Sequence, residues 1–113
     1  MLVAVLSDSH DNIWNLRKAI EVMQAEKTDA MIHCGDFVAP FMLKELEEAG
    51  VPVHGVFGNN DGDQHLLTRL SLTDLKNITL HGLIGKIELG ARKFAFTHYA
   101  EIAMGLGRSG AFD

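Results

Sequence analysis

The sequence has 113 residues, which is enough for one compact domain with one hydrophobic core and too few for two, so we treat residues 1–113 as a single domain. Apolar residues make up 47% and charged residues 22%, as in ordinary globular proteins, which excludes a disordered or low-complexity chain. The net charge of -5 excludes general binding to nucleic acids or anionic membranes, because both need clustered Lys and Arg.

The first half of the chain predicts strands that alternate with helices. Short apolar runs are typical of strands covered on both faces, and apolar residues at helical spacing predict amphipathic helices. This alternation indicates βαβ units and a parallel sheet. The predicted elements are a strand over 2–6, a helix capped by Asn12, a strand over 30–34, a helix framed by Pro40 and Gly50, and a strand over 53–57.

The second half predicts a short helix around 66–70 and then mainly short strands, over 78–80, 86–89 and 92–97. Gly90-Ala91 between the last two strands indicates a hairpin turn. The tail over 100–113 contains three glycines, so any helix there is expected to be weak.

Cys34 is the single cysteine and lies in an apolar run, which favours a reducing compartment and a cytoplasmic protein. The opening apolar run has no basic flank and does not resemble a signal peptide. No stretch approaches the roughly 20 apolar residues of a membrane span, so we expect no membrane insertion.

Polar residues suited to chemistry follow four predicted strands, and open α/β sheets place their sites at such strand ends. The four segments are Ser7-Asp8-Ser9-His10, Gly35-Asp36, Gly58-Asn59-Asn60-Asp61 and Thr97-His98. Each residue taken singly also fits an ordinary turn or helix cap. Their common position after strands favours a shared site instead.

The residue types in these segments are metal ligands. Asp8 and His10 are two apart on an extended chain, so both side chains can grip one ion. Asp36 follows a turn glycine and can bridge two cations, while Asn59 and His98 offer an oxygen and a nitrogen. This mixture of ligands suits manganese, iron, zinc or magnesium, whereas a structural zinc site would favour thiolate ligands. Two such ions about 3.5 to 4 Å apart would activate a phosphoryl group and water, and would attract an anion to an acidic protein.

The remaining histidines and the tryptophan are interpreted as structural. His33 and His54 alternate within strands, His65 begins a helix and His81 lies in a turn. Trp14 lies beside the polar face of the first helix, where we expect a partly buried anchor, with a partner-binding aromatic as the alternative.

The four ordered motifs resemble those of the calcineurin-like metallophosphoesterases, and the Ser-Asp-Ser-His-Asp-Asn opening is similar to the YfcE-like small phosphodiesterase branch. The resemblance runs along the whole chain. It implies an α/β metallophosphoesterase-like sandwich of two mixed β-sheets flanked by helices. It also implies two divalent metal ions, with manganese as first choice and iron, zinc, nickel or magnesium as alternatives.

The resemblance carries over to individual residues. It implies that Asp8 and His10 hold the first ion, that Asp36 bridges, and that Asn59 and His98 hold the second. It further implies a small phosphate-ester substrate, hydrolysed by a water activated between the two metal ions.

The resemblance also implies that Asn59 and Asp61 are the catalytic residues, with Asp61 orienting the site. Two residues depart from the family pattern. Asn60 stands where many phosphomonoesterase relatives have a histidine that assists the leaving group, and Tyr99 stands where a glycine is common.

The family pattern also expects a further strand that ends in Gly-His-x-His, and the sequence reaches Asp113 without it. The domain is therefore expected to be partial and incomplete at its C-terminus, with three protein ligands for each ion and activity that is weak or lost. Unpaired strand edges would favour a homo-oligomer that covers them.

The leading hypothesis is a metal-dependent hydrolase of phosphodiester or phosphomonoester bonds. The alternative is a catalytically inactive scaffold or binding protein that kept the metallophosphoesterase fold. A third interpretation is a doubly wound domain without metal.

Overall fold

The computed structural model describes residues 1–113 and contains six strands and four helices. They are β1 (Val3–Leu6), α1 (Ile13–Ala25), β2 (Ala30–His33), α2 (Phe41–Glu47), β3 (Val53–Gly55), α3 (Gln64–Thr73), β4 (Ile78–Leu80), β5 (Ile84–Leu89), β6 (Arg92–Thr97) and α4 (Ala100–Arg108). No helix in the structure combines the length and the apolar character needed to cross a membrane.

The larger sheet is the predicted parallel sheet. Its strand order is β1-β2-β3-β4, and every neighbouring pair is parallel. All four residues of β2 are buried, which explains the continuous apolar run that marked this strand in the sequence. Because the strands are parallel, their carboxyl ends lie along one edge of the sheet.

The smaller sheet is the predicted hairpin of β5 and β6, which pair antiparallel from Ile84 opposite Thr97 to Leu89 opposite Arg92. The turn residues Gly90 and Ala91 both have positive φ, at 55° and 64°. That combination defines the two-residue hairpin turn whose twist matches the flanking strands.

Two hydrophobic clusters hold these layers together. The larger cluster lies between α1, α2, α3 and one face of the parallel sheet, and includes Leu16, Met31 and Leu43. The smaller cluster joins Ile32 and Val56, on the opposite face of that sheet, to Phe96 of the hairpin. The predicted α/β class with two sheets flanked by helices is confirmed. Within this chain the larger sheet is wholly parallel and the smaller one antiparallel.

Two expectations from the sequence need correction. The tail forms a nine-residue helix, α4, in spite of its glycines. Glu101 in its first turn and Arg108 in its last turn complement the helix dipole, which offsets part of the glycine penalty. Trp14 is 74% exposed, so it is not a partly buried anchor. It lies on the outer surface of α1, whereas Leu16 and Ile20 of that helix are buried.

Candidate metal centre

The four polar segments meet at the carboxyl edge of the parallel sheet. Backbone hydrogen bonds join the first two: the Asp8 amide donates to the Gly35 carbonyl and the His10 amide to the Asp36 carbonyl, both at 3.0 Å. His98, which follows β6 of the hairpin, reaches the same edge because its Nδ1 donates to the Cys34 carbonyl at 2.9 Å. The structure therefore brings together segments that are up to 90 residues apart in the chain.

The first group of donor atoms consists of Asp8, His10 and Asp36. His10 Nε2 lies 3.3 Å from Asp8 Oδ1 and 3.1 Å from Asp36 Oδ2. One donor atom from each of the three residues lies within 4.8 Å of the others. The Ser7 hydroxyl donates a hydrogen bond to the Asp8 carboxylate, which keeps the pKa of Asp8 below its usual range. The Asp8 carboxylate therefore stays ionised and able to bind a cation.

The second group consists of Asn59, His98 and again Asp36. His98 Nε2 lies 2.8 Å from Asn59 Oδ1 and 3.7 Å from Asp36 Oδ2. Because Nδ1 of His98 donates to the Cys34 carbonyl, Nε2 is the ring nitrogen that faces Asn59 and Asp36 and could bind an ion.

These donor sets fit a metal ion. Ligand atoms about 2.1 Å from a common ion lie roughly 3 Å apart when they meet at right angles. The histidine nitrogens of the two groups lie 2.8 to 3.7 Å from the oxygen atoms beside them, which is close to that spacing. Carboxylate, imidazole and amide donors are those that manganese, iron, zinc and magnesium accept. The residues predicted as ligands, Asp8, His10, Asp36, Asn59 and His98, therefore lie within one possible binding centre.

Asp36 is the shared member, and its carboxylate is almost fully buried at 1% exposure. Oδ1 accepts from the backbone N–H of Asn60 at 2.8 Å, and Oδ2 accepts from the side-chain Nδ2 of Asn60 at 2.7 Å. The Asp36 backbone has φ of 60°, which is strained for a non-glycine residue. Such strain persists where neighbouring groups hold the backbone in place.

Gly58 shows why a glycine is needed beside this carboxylate. A Cβ added there would overlap Asp36 Oδ1 and lie 2.7 Å from the Asp36 amide nitrogen. The glycine of the Gly58-Asn59-Asn60-Asp61 segment therefore allows the third strand end to pack directly against the Asp36 carboxylate.

Asp61, predicted to be catalytic, lies behind the predicted ligands. Its buried carboxylate accepts from three backbone N–H groups: those of Asp36 at 2.8 Å, Val38 at 2.7 Å and Gly58 at 2.7 Å. It thus fixes the segments that carry Asp36 and Asn59. The catalytic roles of Asn59 and Asp61 stay predictions.

Sequence reasoning missed two residues that brace the site. His33 is fully buried, lies 3.0 Å from the Ser9 hydroxyl and accepts from the Gly35 N–H at 3.2 Å. Burial lowers its pKa from 6.5 to about 4, so the ring is neutral at pH 7. Asp11 Oδ1 accepts from the Ala39 N–H at 2.8 Å. The sequence analysis interpreted His33 as structural, and nothing in the sequence near His33 indicated its contact with Ser9, 24 residues away.

Two other histidines form a pair away from the centre. His54 Nδ1 and His81 Nε2 are 3.1 Å apart, and the His81 ring meets Phe96 edge to face. Burial lowers the pKa of both, so this pair is neutral and packed beneath the hairpin, in agreement with a structural role. His65 is exposed at the start of α3.

Comparison with known proteins places the chain in a family. The profile of the calcineurin-like phosphoesterase superfamily domain matches residues 1–111. The chain therefore belongs to the calcineurin-like phosphoesterase superfamily, as its motif order predicted.

The individual relatives are phosphoesterases. Phosphodiesterase MJ0936 of Methanocaldococcus jannaschii is 38% identical over 101 residues, which cover 87% of this chain and 58% of that protein. A structurally characterised archaeal phosphodiesterase is 32% identical with a TM-score of 0.87, covering 100% of this chain and 69% of its own. YfcE, a phosphoesterase from E. coli, shares the fold with a TM-score of 0.66 at 16% identity. The match covers 89% of this chain and 59% of YfcE. The chain thus spans less than two thirds of the length of the curated relative it matches.

Proposed function

We propose that this chain is a metal-dependent phosphodiesterase that uses two divalent ions. Asp8 and His10 hold the first ion, Asn59 and His98 hold the second, and Asp36 bridges them. Bound there, the two ions would supply Lewis-acid activation of a phosphoryl oxygen and of the attacking water.

The observation that carries the proposal is the position of one oxygen atom, Oδ2 of Asp36. It lies 3.1 Å from His10 Nε2 on one side and 3.7 Å from His98 Nε2 on the other. A carboxylate buried between two imidazoles that come from different sheets is well placed to contact two cations at once. Each ion receives three protein ligands from this chain, a number that catalytic metal sites commonly use, with open positions for water and substrate.

The remaining polar residues of the site prepare this arrangement. Asn60 orients the Asp36 carboxylate with two hydrogen bonds, and Asp61 fixes the backbone from which Asp36 projects. Asn59 is exposed, so beyond its role as a ligand it can meet a phosphoryl oxygen or a water at the open side of the site. We propose that Asn59 and Asp61 contribute to catalysis in these two ways.

Asn60 also bears on the substrate. An amide does not titrate near neutral pH, so it cannot protonate a leaving alkoxide as an imidazole can. We therefore propose that the chain acts on small phosphate diesters with acidic leaving groups, and hydrolyses monoesters of weakly acidic alcohols more slowly. The two relatives described as phosphodiesterases support this choice.

Metal content tests the proposed centre directly. Elemental analysis of the purified protein should find up to two equivalents of a divalent ion, with manganese as the first choice and iron, zinc, nickel or magnesium as alternatives. Asp36→Ala should lose both ions, because that carboxylate contacts both. Asp63→Ala, which removes a nearby exposed carboxylate that caps α3, should lose none. An Asp36→Ala protein with undiminished metal content would refute the bridging role.

Activity is tested with bis(4-nitrophenyl) phosphate and 4-nitrophenyl phosphate in the presence of manganese. Faster hydrolysis of the diester, abolished by chelation and by Asp36→Ala, is the expected result. Metal binding without hydrolysis of either ester would favour the scaffold alternative instead.

We further propose that the chain self-associates through β1 and acts in the cytoplasm. β1 is an edge strand, and its Val5 is 65% exposed, which is a surface that recruits another strand. Light scattering should show a dimer that Val5→Lys dissociates. Leu72→Lys, at an exposed position of α3, should leave the dimer intact. A monomer at high concentration would contradict self-association. The half-buried free thiol of Cys34 supports a reducing compartment, which cell fractionation would test.

A further inference from the structure

We infer that His33 is a positioning residue that sets the spacing between the two ligand-bearing loops of the metal centre. The inference rests on the proposed metal-dependent function, and it gives a role to a histidine that binds no ion itself. Its basis is the pair of hydrogen bonds made by one fully buried imidazole ring.

Each ring nitrogen of His33 contacts a different loop. Nε2 lies 3.0 Å from the hydroxyl of Ser9, the residue between the ligands Asp8 and His10. Nδ1 lies 3.2 Å from the amide nitrogen of Gly35, the residue before the shared ligand Asp36. The ring therefore spans the gap between the β1 loop and the β2 loop.

The directions of these hydrogen bonds follow from their partners. The Gly35 amide can only donate, so Nδ1 of His33 accepts and carries no proton. In the neutral ring the proton is then on Nε2, which donates to Ser9 Oγ. Packing confines the ring, because it has 0% exposure and lies against Phe37 with ring centroids 5.2 Å apart. A rigid ring with two directed hydrogen bonds fixes the distance between its partners.

Fixed spacing matters here because the ligand loops are strained. Asp8, His10 and Asp36 have φ of 56°, 41° and 60°, in the left-handed region that non-glycine residues rarely adopt. Metal–ligand distances in well-formed sites stay within about 0.2 Å of their usual values. A loop released by loss of its brace would relax towards ordinary backbone angles and carry its ligand away from the common point.

Three substitutions separate the two contacts. His33→Leu removes both hydrogen bonds. Asn carries its oxygen at the position of Nδ1, so His33→Asn can keep the Gly35 contact. Gln carries its amide one bond further out, at the position of Nε2, so His33→Gln can keep the Ser9 contact. His54→Leu is the matched control, because His54 lies on the opposite face of the same sheet and bonds only to His81.

The measurements are manganese affinity by competition with a fluorescent chelator and the visible spectrum of the cobalt-loaded protein. Thermal unfolding with chelator reports the stability of each variant separately. We expect His33→Leu to bind manganese roughly 10- to 100-fold more weakly, as found when groups that orient metal ligands are removed. His33→Asn and His33→Gln should each restore part of the affinity, and all three should shift the cobalt spectrum. His54→Leu should change neither.

The outcomes separate the two proposals. Wild-type protein without measurable binding of any divalent ion would overturn the metal centre and this inference with it. Wild-type binding with undiminished affinity and an unchanged cobalt spectrum in His33→Asn and His33→Gln would overturn the positioning role alone. If His33→Leu does not fold, those two polar variants still decide the question.

Discussion

Replacing the buried Asp61 by alanine is expected to destabilise the metal-free protein strongly. The buried carboxylate accepts three backbone N–H groups at 2.7 to 2.8 Å, from three positions in two loops. Hydrogen bonds to a charged acceptor contribute about 1.5 to 3 kcal/mol each, so three of them give at least about 4 kcal/mol. A domain of this size has a total stability of about 6 to 17 kcal/mol, so Asp61→Ala removes a large share.

The assay is urea unfolding followed by circular dichroism, with chelator present so that bound metal does not contribute. Asp63→Ala is the matched control, because its carboxylate is exposed and accepts one N–H, from Leu66, at the start of α3. Loss of such a cap costs about 1 kcal/mol. A difference of less than about 1 kcal/mol between the two variants would refute the reasoning, since it would mean that the buried N–H groups find other acceptors.

Asp61→Asn gives an intermediate result that checks the geometry. Oδ2 accepts from Asp36 and Gly58, whereas Oδ1 accepts from Val38 alone. The amide oxygen of asparagine can take the Oδ2 position and keep two hydrogen bonds, which leaves the Val38 N–H facing an NH₂ group. The variant should therefore lose about 1.5 to 3 kcal/mol, less than the alanine variant.

Further predictions concern the glycines and His33. Gly58→Ala should destabilise the protein by about 3 kcal/mol and weaken metal binding, because the new Cβ overlaps Asp36, whereas Gly62→Ala, with nothing within 4 Å, should be neutral by the same unfolding assay. The lowered pKa of His33, about 4 against 6.5 in the unfolded chain, corresponds to about 3 kcal/mol of stability. The unfolded state binds more protons in this window, so that stability is present above pH 6.5 and lost as the pH falls towards 4. His33→Leu should flatten this part of the chelated protein's pH–stability curve, and an unchanged curve would refute the shift.

The parallel sheet and the meeting of its loops were predictable from the sequence. Short apolar runs alternating with helical periods define parallel strands, and parallel strands bring their carboxyl ends to one edge. Asp8, Asp36 and Asn59 follow three such strands, so their proximity is a consequence of topology. The arrival of His98 at the same edge depends on how the hairpin docks on the sheet. Its place after the last predicted strand indicated a role in the site, but the topology of the parallel sheet does not require it.

Tertiary packing decided the features that sequence reasoning missed. Helical periodicity identified the buried stripe of α1, but the exposure of Trp14 depends on whether another element covers its side of the helix. The sequence analysis interpreted His33 as structural, but its contact with Ser9, 24 residues away, depends on how the β1 loop lies beside β2. α4 forms despite its glycines because Ile102 and Leu106 are partly buried beside β6 and the charged residues at its ends complement the helix dipole.

The division of the proposed ligands between two sheets has a consequence for the order in which the site forms. Pairing of β1 with β2 brings Asp8, His10 and Asp36 together, whereas Asn60 and Asp61, which orient the Asp36 carboxylate and hold its loop, follow β3. His98 joins only after the hairpin has docked through Phe96 and its neighbours. An ion at the second position would therefore link the two sheets and slow their separation. Metal binding should slow hydrogen exchange in β5 and β6 more than in β1 and β2.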